Sequence, residues 1–199
     1  MKALRIIFLL FGLAMLSMAF QYLLVPNFGM LKEKGLLAEE NWYIVTLVTH
    51  AFSGAMATVL GAFQFMSSIR SKSIQSHRFL GVLYTLFCLT GSVSGILMAQ
   101  EATGGFWSTF GFTLLGLFWL LSSLGAAFYG YKRMKSVHFR LVLISYGLTL
   151  SALTLRVYLL LSVGILKLDP AVSYVVIAWL CWVPNLGVAY IVGRKSGGV

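Results

Sequence analysis

The sequence predicts an all-α membrane protein of six transmembrane helices, with spans two to five forming a core four-helix up-down bundle and spans one and six at its periphery. Three observations carry this prediction. Of the 199 residues, 59% are hydrophobic and only 10% are charged, whereas a soluble domain needs a charged shell of about 25%. Mean hydropathy is +0.90, and the apolar residues gather in runs near the roughly 20 residues that a helix needs to cross about 30 Å of hydrocarbon. The charges, finally, sort by loop.

The runs are Ile6–Leu24, Tyr43–Met66, Phe79–Ala99, Phe106–Tyr131, Leu141–Leu166 and Ala171–Val192. Each is read as helix, because a strand in lipid leaves backbone groups unpaired unless a barrel closes around it. The runs are also far longer than the ~10-residue alternating segments of a barrel. No loop has room for a soluble domain, so residues 1–199 read as one membrane domain. Lys2, Arg5, Arg70, Lys72, Arg78, Lys132, Arg133, Lys135, Arg140, Arg194 and Lys195 fall on one side of such a chain. All the acids, Glu33, Glu39, Glu40, Glu101 and Asp169, fall on the other. The positive-inside rule makes the basic side cytoplasmic and puts both termini there.

The net charge of +10 is therefore a topology signal that calls for no nucleic-acid partner; it brings an attraction to the anionic headgroups of the bilayer. Ser17-Met18-Ala19 imitates a signal-peptide cleavage site, but the apolar run before it is too long for that role. Cys88 and Cys181 lie mid-span in different helices, without Cys-x-x-Cys spacing. They read as small packing residues rather than a disulfide or a metal site.

Between the spans, the long connection Val25–Asn41 suits a short interfacial helix, and Gly104-Gly105 a tight turn. Pro184-Asn185 predicts a kink in span six whose freed carbonyl needs a local partner. A short repeat relates Ser76-His77-Arg78-Phe79-Leu80 to Val137-His138-Phe139-Arg140-Leu141, each with a tyrosine two turns on, Tyr84 or Tyr146. It suggests two related hairpins, spans two–three and four–five.

Helical phase groups the polar residues. His138 shares a face with Ser145, Thr149 and Arg156. His77 shares one with Gly81, Tyr84, Cys88, Gly91 and Gly95, and His50 one with Gly54, Ala57, Gly61 and Gln64. Such stripes face protein, since small residues allow close helix approach and polar ones need partners. In an up-down bundle, spans three and five are diagonal, so His77 and His138 can meet across the axis. Two facing imidazoles are what a b-type haem iron requires, with glycines making room for the macrocycle and Arg78 and Arg140 neutralising propionates. The same two histidines also suit headgroup snorkelling or another metal or proton role. His50 alone suits a hydrogen-bonded core position.

Arg156 lies about seven residues, or roughly 10 Å, inside the outer surface. A guanidinium there costs roughly 2.5–3.5 kcal/mol and cannot shed its proton. It either snorkels outward with Glu101 as counter-ion or forms an outer-leaflet pocket with His50 for an anionic or carbonyl-bearing ligand such as a quinone. Trp179 and Trp182 are candidate walls of that pocket, or belt tryptophans.

His50 with Gly54, Gly61-x-x-Gln64-Phe65, His77-Arg78-x-x-Gly81-x-x-Tyr84 and Gly104-Gly105 form a recognisable set with Trp119, His138, Ser145-Tyr146-x-Leu148-Thr149 and Thr154-Leu155-Arg156. The set resembles the bacterial membrane family catalogued as domain of unknown function 2306, and covers spans two to six. The resemblance implies a bacterial inner-membrane location. Relatives usually place an arginine directly after the span-five histidine; here Phe139 precedes Arg140. The architecture is also similar to cytochrome b561-type four-helix haem proteins, an analogy of fold only.

These readings lead to an expected single-haem electron carrier. His77 and His138 ligate haem b, Arg78 and Arg140 flank it, and His50, Arg156, Tyr84, Thr149 and Ser145 form an outer quinone pocket. Two other classes fit the same residues. One is a non-catalytic assembly or metal- and haem-handling factor for a respiratory complex. The other is a small-molecule permease with Arg156 meeting the solute, against which stands the lack of an inverted sequence repeat.

Overall fold

The computed structural model describes residues 2–25, 31–32, 34–65 and 73–196, without the side chains of 2–5, 8 and 196. Glu33, Met66, Arg70 and Lys72 therefore lie outside the described residues, as do the side chains of Lys2 and Arg5. Helix is the only regular structure among those described. The α-helices are α1 (Lys2–Leu24), α2 (Asn41–Gln64), α3 (Ile74–Ala99), α4 (Phe106–Tyr131), α5 (Lys135–Thr149), α6 (Ser151–Leu159), α7 (Pro170–Leu180) and α8 (Val183–Ser196).

Among the described residues, five rods are long and apolar enough to cross a membrane. They are α2 with 24 residues, α3 and α4 with 26 each, Lys135–Ile165 with 31 and Pro170–Lys195 with 26. At about 1.5 Å per residue even the shortest reaches roughly 36 Å, more than the hydrocarbon thickness. In α1 the fully described apolar stretch is Leu9–Leu24. The helices overrun the apolar runs at their basic ends. α3 begins at Ile74 rather than Phe79 and the fifth rod at Lys135 rather than Leu141, because polar first turns continue the backbone ladder into the headgroup layer. His77 and His138 are therefore first-turn helical residues.

The chain divides into two compact units, Met1–Met98 and Ala99–Val199. In the first, α1 lies along α2. Gly12 makes this possible: a Cβ there would stand 2.6 Å from Val59 Cγ2 and 3.5 Å from the Ala55 carbonyl oxygen. Where the interfacial helix is expected, the described residues form a short 3₁₀ helix, Gly35–Glu39, whose Ala38 joins Tyr22, Leu31, Tyr43 and Leu47 in a buried cluster.

In the second unit, α4 packs on α5 and on α7, and α8 packs on α5. Gly104 and Gly105, at φ 95° and 71°, make the turn into α4 in a region that favours glycine. Asp169 caps α7, accepting from the Val172 N–H at 2.9 Å, with Pro170 in the first turn. Gly111 and Gly147 admit the backbones of Ala178 and Asn185, whose carbonyl oxygens lie 3.1 and 3.2 Å from an ideal Cβ at each glycine.

The fifth rod is not one α-helix. Leu150 separates α5 from α6, and a π-helical turn, Leu160–Ile165, follows. The predicted kink at Pro184 is present as a break between α7 and α8. The Cys181 carbonyl there accepts from the Thr154 hydroxyl and, at 3.1 Å, from Asn185 Nδ2. Asn185 Nδ2 also lies 3.2 Å from both the Gly147 carbonyl oxygen and Thr154 Oγ1. One amide thus ties α8 to α5, to α6 and to the broken turn. Replacing Asn185 with Ala is expected to lower stability by about 1–3 kcal/mol, the cost of buried polar groups left unmet. Equilibrium unfolding in detergent measures it.

Candidate functional site

The polar stripes face protein, as their phases require. Tyr84 is buried, and Ala57, Cys88 and Ser145 are fully buried. The two cysteines are free. Within this framework two histidines are held in the same way.

His50, on α2, donates its Nδ1–H to the Gly91 carbonyl of α3 at 2.8 Å. Its ring covers Gly95, where a Cβ would stand 2.9 Å from Cε1 and 3.0 Å from Nδ1. His138, on α5, donates its Nδ1–H to the Ala126 carbonyl of α4 at 2.7 Å. Its ring covers Gly130, where a Cβ would stand 2.9 Å from Nδ1 and 3.1 Å from Cε1. In both seats the glycine lies four residues after the accepting carbonyl. A helical side chain leans toward the N-terminus and covers the turn before it, so only glycine at that position leaves the carbonyl open to an imidazole.

The seats fix which ring nitrogen donates. A carbonyl oxygen can only accept, so Nδ1 carries a proton, and when the ring is neutral the lone pair lies on Nε2. Histidines that bind metals are oriented in this manner, the second nitrogen donating to a carbonyl. His138 is half-buried, and Nδ1 is the one ring nitrogen committed to a protein group among the described residues. The donor chemistry therefore fits an iron ligand at His138 Nε2. Among the described residues, no three of His, Cys, Asp or Glu gather as a metal cage.

His77 sits differently. Its backbone carbonyl accepts from Gln64 Nε2 at 3.1 Å, and its Nδ1 is buried. Gln64 also fills the space beside Gly81, 3.8 Å from an ideal Cβ. The glycines that the sequence reserves for a macrocycle are thus occupied by side chains at Gly81 and Gly95. Arg78 is exposed beside His77. Arg140 is exposed as well, but it does not share the side of His138: two residues turn α5 by about 200°. Its Cγ and Cα lie 3.4 and 3.8 Å from an ideal Cβ on Gly193 of α8.

The outer-pocket residues separate by role. Ser145 Oγ meets Ser123 Oγ at 2.8 Å, and Thr149 Oγ1 accepts from Trp119 Nε1 at 3.0 Å. These buried pairs join α4 to α5. Arg156 is half-buried and folds back along its own helix, Nη1 donating to the Ala152 carbonyl at 2.9 Å. That carbonyl is one turn nearer the middle of the rod, so this contact directs the guanidinium inward rather than toward the nearer surface. Trp182 is buried, with Nε1 on the Ala178 carbonyl at 2.8 Å. It packs 6.0 Å from Trp179 and 5.7 Å from Phe118, inside the unit rather than in a surface belt.

Sequence reading missed the acceptors of both seats. The available signal was a small residue followed four positions later by glycine, on the helix hairpinned to the one bearing the histidine: Gly91 with Gly95, and Ala126 with Gly130. Gly130→Ala is expected to displace the imidazole and cost about 1–3 kcal/mol through the stranded polar groups. Gly187→Ala, which meets nothing within 4 Å, is expected to leave stability unchanged or raised. Thermal unfolding of the two variants in the same detergent compares them.

A family model described as "Predicted membrane protein (DUF2306)" matches residues 47–192. No curated protein and no solved structure matches the chain significantly. The match runs from just before His50 to the last turns of α8, covering both seats and Arg156, and the chain belongs to the DUF2306 family of predicted membrane proteins.

Proposed function

We propose that this membrane protein is a b-type haem protein of the bacterial inner membrane that passes electrons to or from a quinone or similar small molecule. The observation that carries the reading is the His138 seat. Its Nδ1–H is bound to the Ala126 carbonyl at 2.7 Å, which leaves Nε2 as the nitrogen that iron ligation would use. His77 is the second imidazole that the sequence assigns, with Arg78 as the cation for a propionate. A bound haem supplies reversible one-electron chemistry. The chain's own part is to hold the imidazole against rotation, through Gly130 and the Ala126 carbonyl. His50 and Arg156 are the residues that the sequence reading assigns to the small molecule, Arg156 as a fixed positive charge. Ser145, Thr149 and Tyr84 serve the scaffold. The sorting of basic and acidic loops supports an orientation with the basic ends in the cytoplasm.

The test is spectroscopic. Protein purified from haem-competent cells is expected to show a Soret band that shifts on dithionite reduction and disappears in His138→Ala. His50→Ala and Arg156→Leu are expected to keep the band and lose quinone reduction by about 10²-fold or more, as when a positioning contact is removed. A preparation with no Soret band, unchanged by added hemin, overturns the haem reading and leaves both histidines as helix fasteners.

A further inference from the structure

The described cations of the second unit's basic end are Lys132 and Arg133 in the α4–α5 turn, Lys135 and Arg140 on α5, and Arg194 and Lys195 closing α8, all exposed. The unit's acids, Glu101 and Asp169, precede α4 and α7 and so lie at the opposite helix ends. Arg140 and Arg194 are separated by more than fifty residues, yet close packing brings their backbones together. Gly193, the neighbour of Arg194, lets α8 approach until an ideal Cβ would stand 3.8 Å from Arg140 Cα. Two permanently charged guanidinia with an adjoining ammonium repel one another. Their gathering on an exposed, acid-free surface is favourable when an anion neutralises them. Arg194 stands over the Tyr190 ring at 5.9 Å, which steadies it at the level where aromatic residues meet headgroups. One turn back on the same side of α8, Tyr190 and Ile191 are exposed, a surface suited to acyl chains.

We infer that Arg140, Arg194 and Lys195 form a binding site for the phosphate of an anionic phospholipid at the α5–α8 contact. Guanidinium forks match phosphate oxygens, and juxtamembrane cations of this kind recognise anionic headgroups. The diacyl lipid is favoured over free phosphate because the cations cap an apolar helix face. The site is independent of the haem reading, since Arg140 points away from the side of α5 that carries His138.

The test uses the whole protein reconstituted in phosphatidylcholine vesicles doped with spin-labelled phosphatidylglycerol or spin-labelled phosphatidylcholine. The wild type is expected to immobilise the anionic lipid preferentially. Arg140→Gln with Arg194→Gln is expected to weaken that preference by about fivefold per charge removed. Arg140→Lys with Arg194→Lys is expected to retain most of it, and Lys32→Gln with Lys34→Gln all of it. Equal retention by the Gln pair and the wild type, or no anionic preference in the wild type, overturns the proposal. So does displacement of the preference by inorganic phosphate at matched ionic strength, which would make the site one for free anions. Because the Gln pair is exposed, an unchanged thermal midpoint separates loss of the site from loss of the fold.

Discussion

Within each unit, an imidazole bound to a main-chain carbonyl of the adjacent helix is the contact that fixes one helix hairpin. The carbonyl already accepts from the N–H four residues on, and the histidine uses its second lone pair. For that the helix must be bare above the oxygen, and glycine provides this at Gly95 and Gly130. The requirement links sequence to structure directly. A glycine placed one turn after a carbonyl becomes a socket, and the hairpin that faces it must supply a flat, donating ring. Once seated, the ring also has a defined donor, because a carbonyl can only accept and the nitrogen facing it must carry a proton.

The rest of the interior follows the same economy. In hydrocarbon there is no hydrophobic force between helices, so packing and hydrogen bonds hold them together, each bond contributing about 0.6–2 kcal/mol. Ser123 with Ser145, Trp119 with Thr149, and Asn185 with Gly147 supply those bonds in the second unit. Glycines at 12, 111 and 147 supply the close approach. The breaks at Leu150 and at Cys181–Trp182 are tolerated because side chains return a donor to the loosened backbone, with Thr154 and Asn185 both reaching the Cys181 carbonyl. Arg156 lies between one of these breaks and the π-helical turn, a setting in which irregular backbone commonly serves function.

Much of the scaffold was legible because lipid constrains sequence severely. Apolar length gave the rods, and 3.6-residue phase gave the buried faces of Tyr84, Cys88, Ser145 and Thr149. Pro184-Asn185 announced its own kink and the need for a local partner, which the structure supplies as Asn185 and Thr154. Three features were not legible. The glycines at 91 and 95 read as room for a macrocycle, yet the space at Gly95 is filled by His50, because periodicity shows which face is small and not what fills it. Arg140 read as a neighbour of His138, but a separation of two residues places side chains on opposite sides of a helix. Ser145 and Thr149 read as pocket lining; as hydroxyls on a buried stripe they pair across to α4 instead. Each of these depends on the partner helix, which one-dimensional phase does not contain.

The central claim is that the Ala126 carbonyl fixes Nδ1 of His138 as the donor, so that in the neutral ring the lone pair lies on Nε2. Solid-state ¹⁵N NMR of histidine-labelled protein in bilayers at neutral pH, assigned by comparison with His138→Gln, reads this directly. The account predicts a protonated Nδ1 that shows coupling to the Ala126 carbonyl, together with an Nε2 resonance of the unprotonated or metal-bound type. A protonated Nε2 with bare Nδ1, or rapid exchange between the two forms, would contradict it.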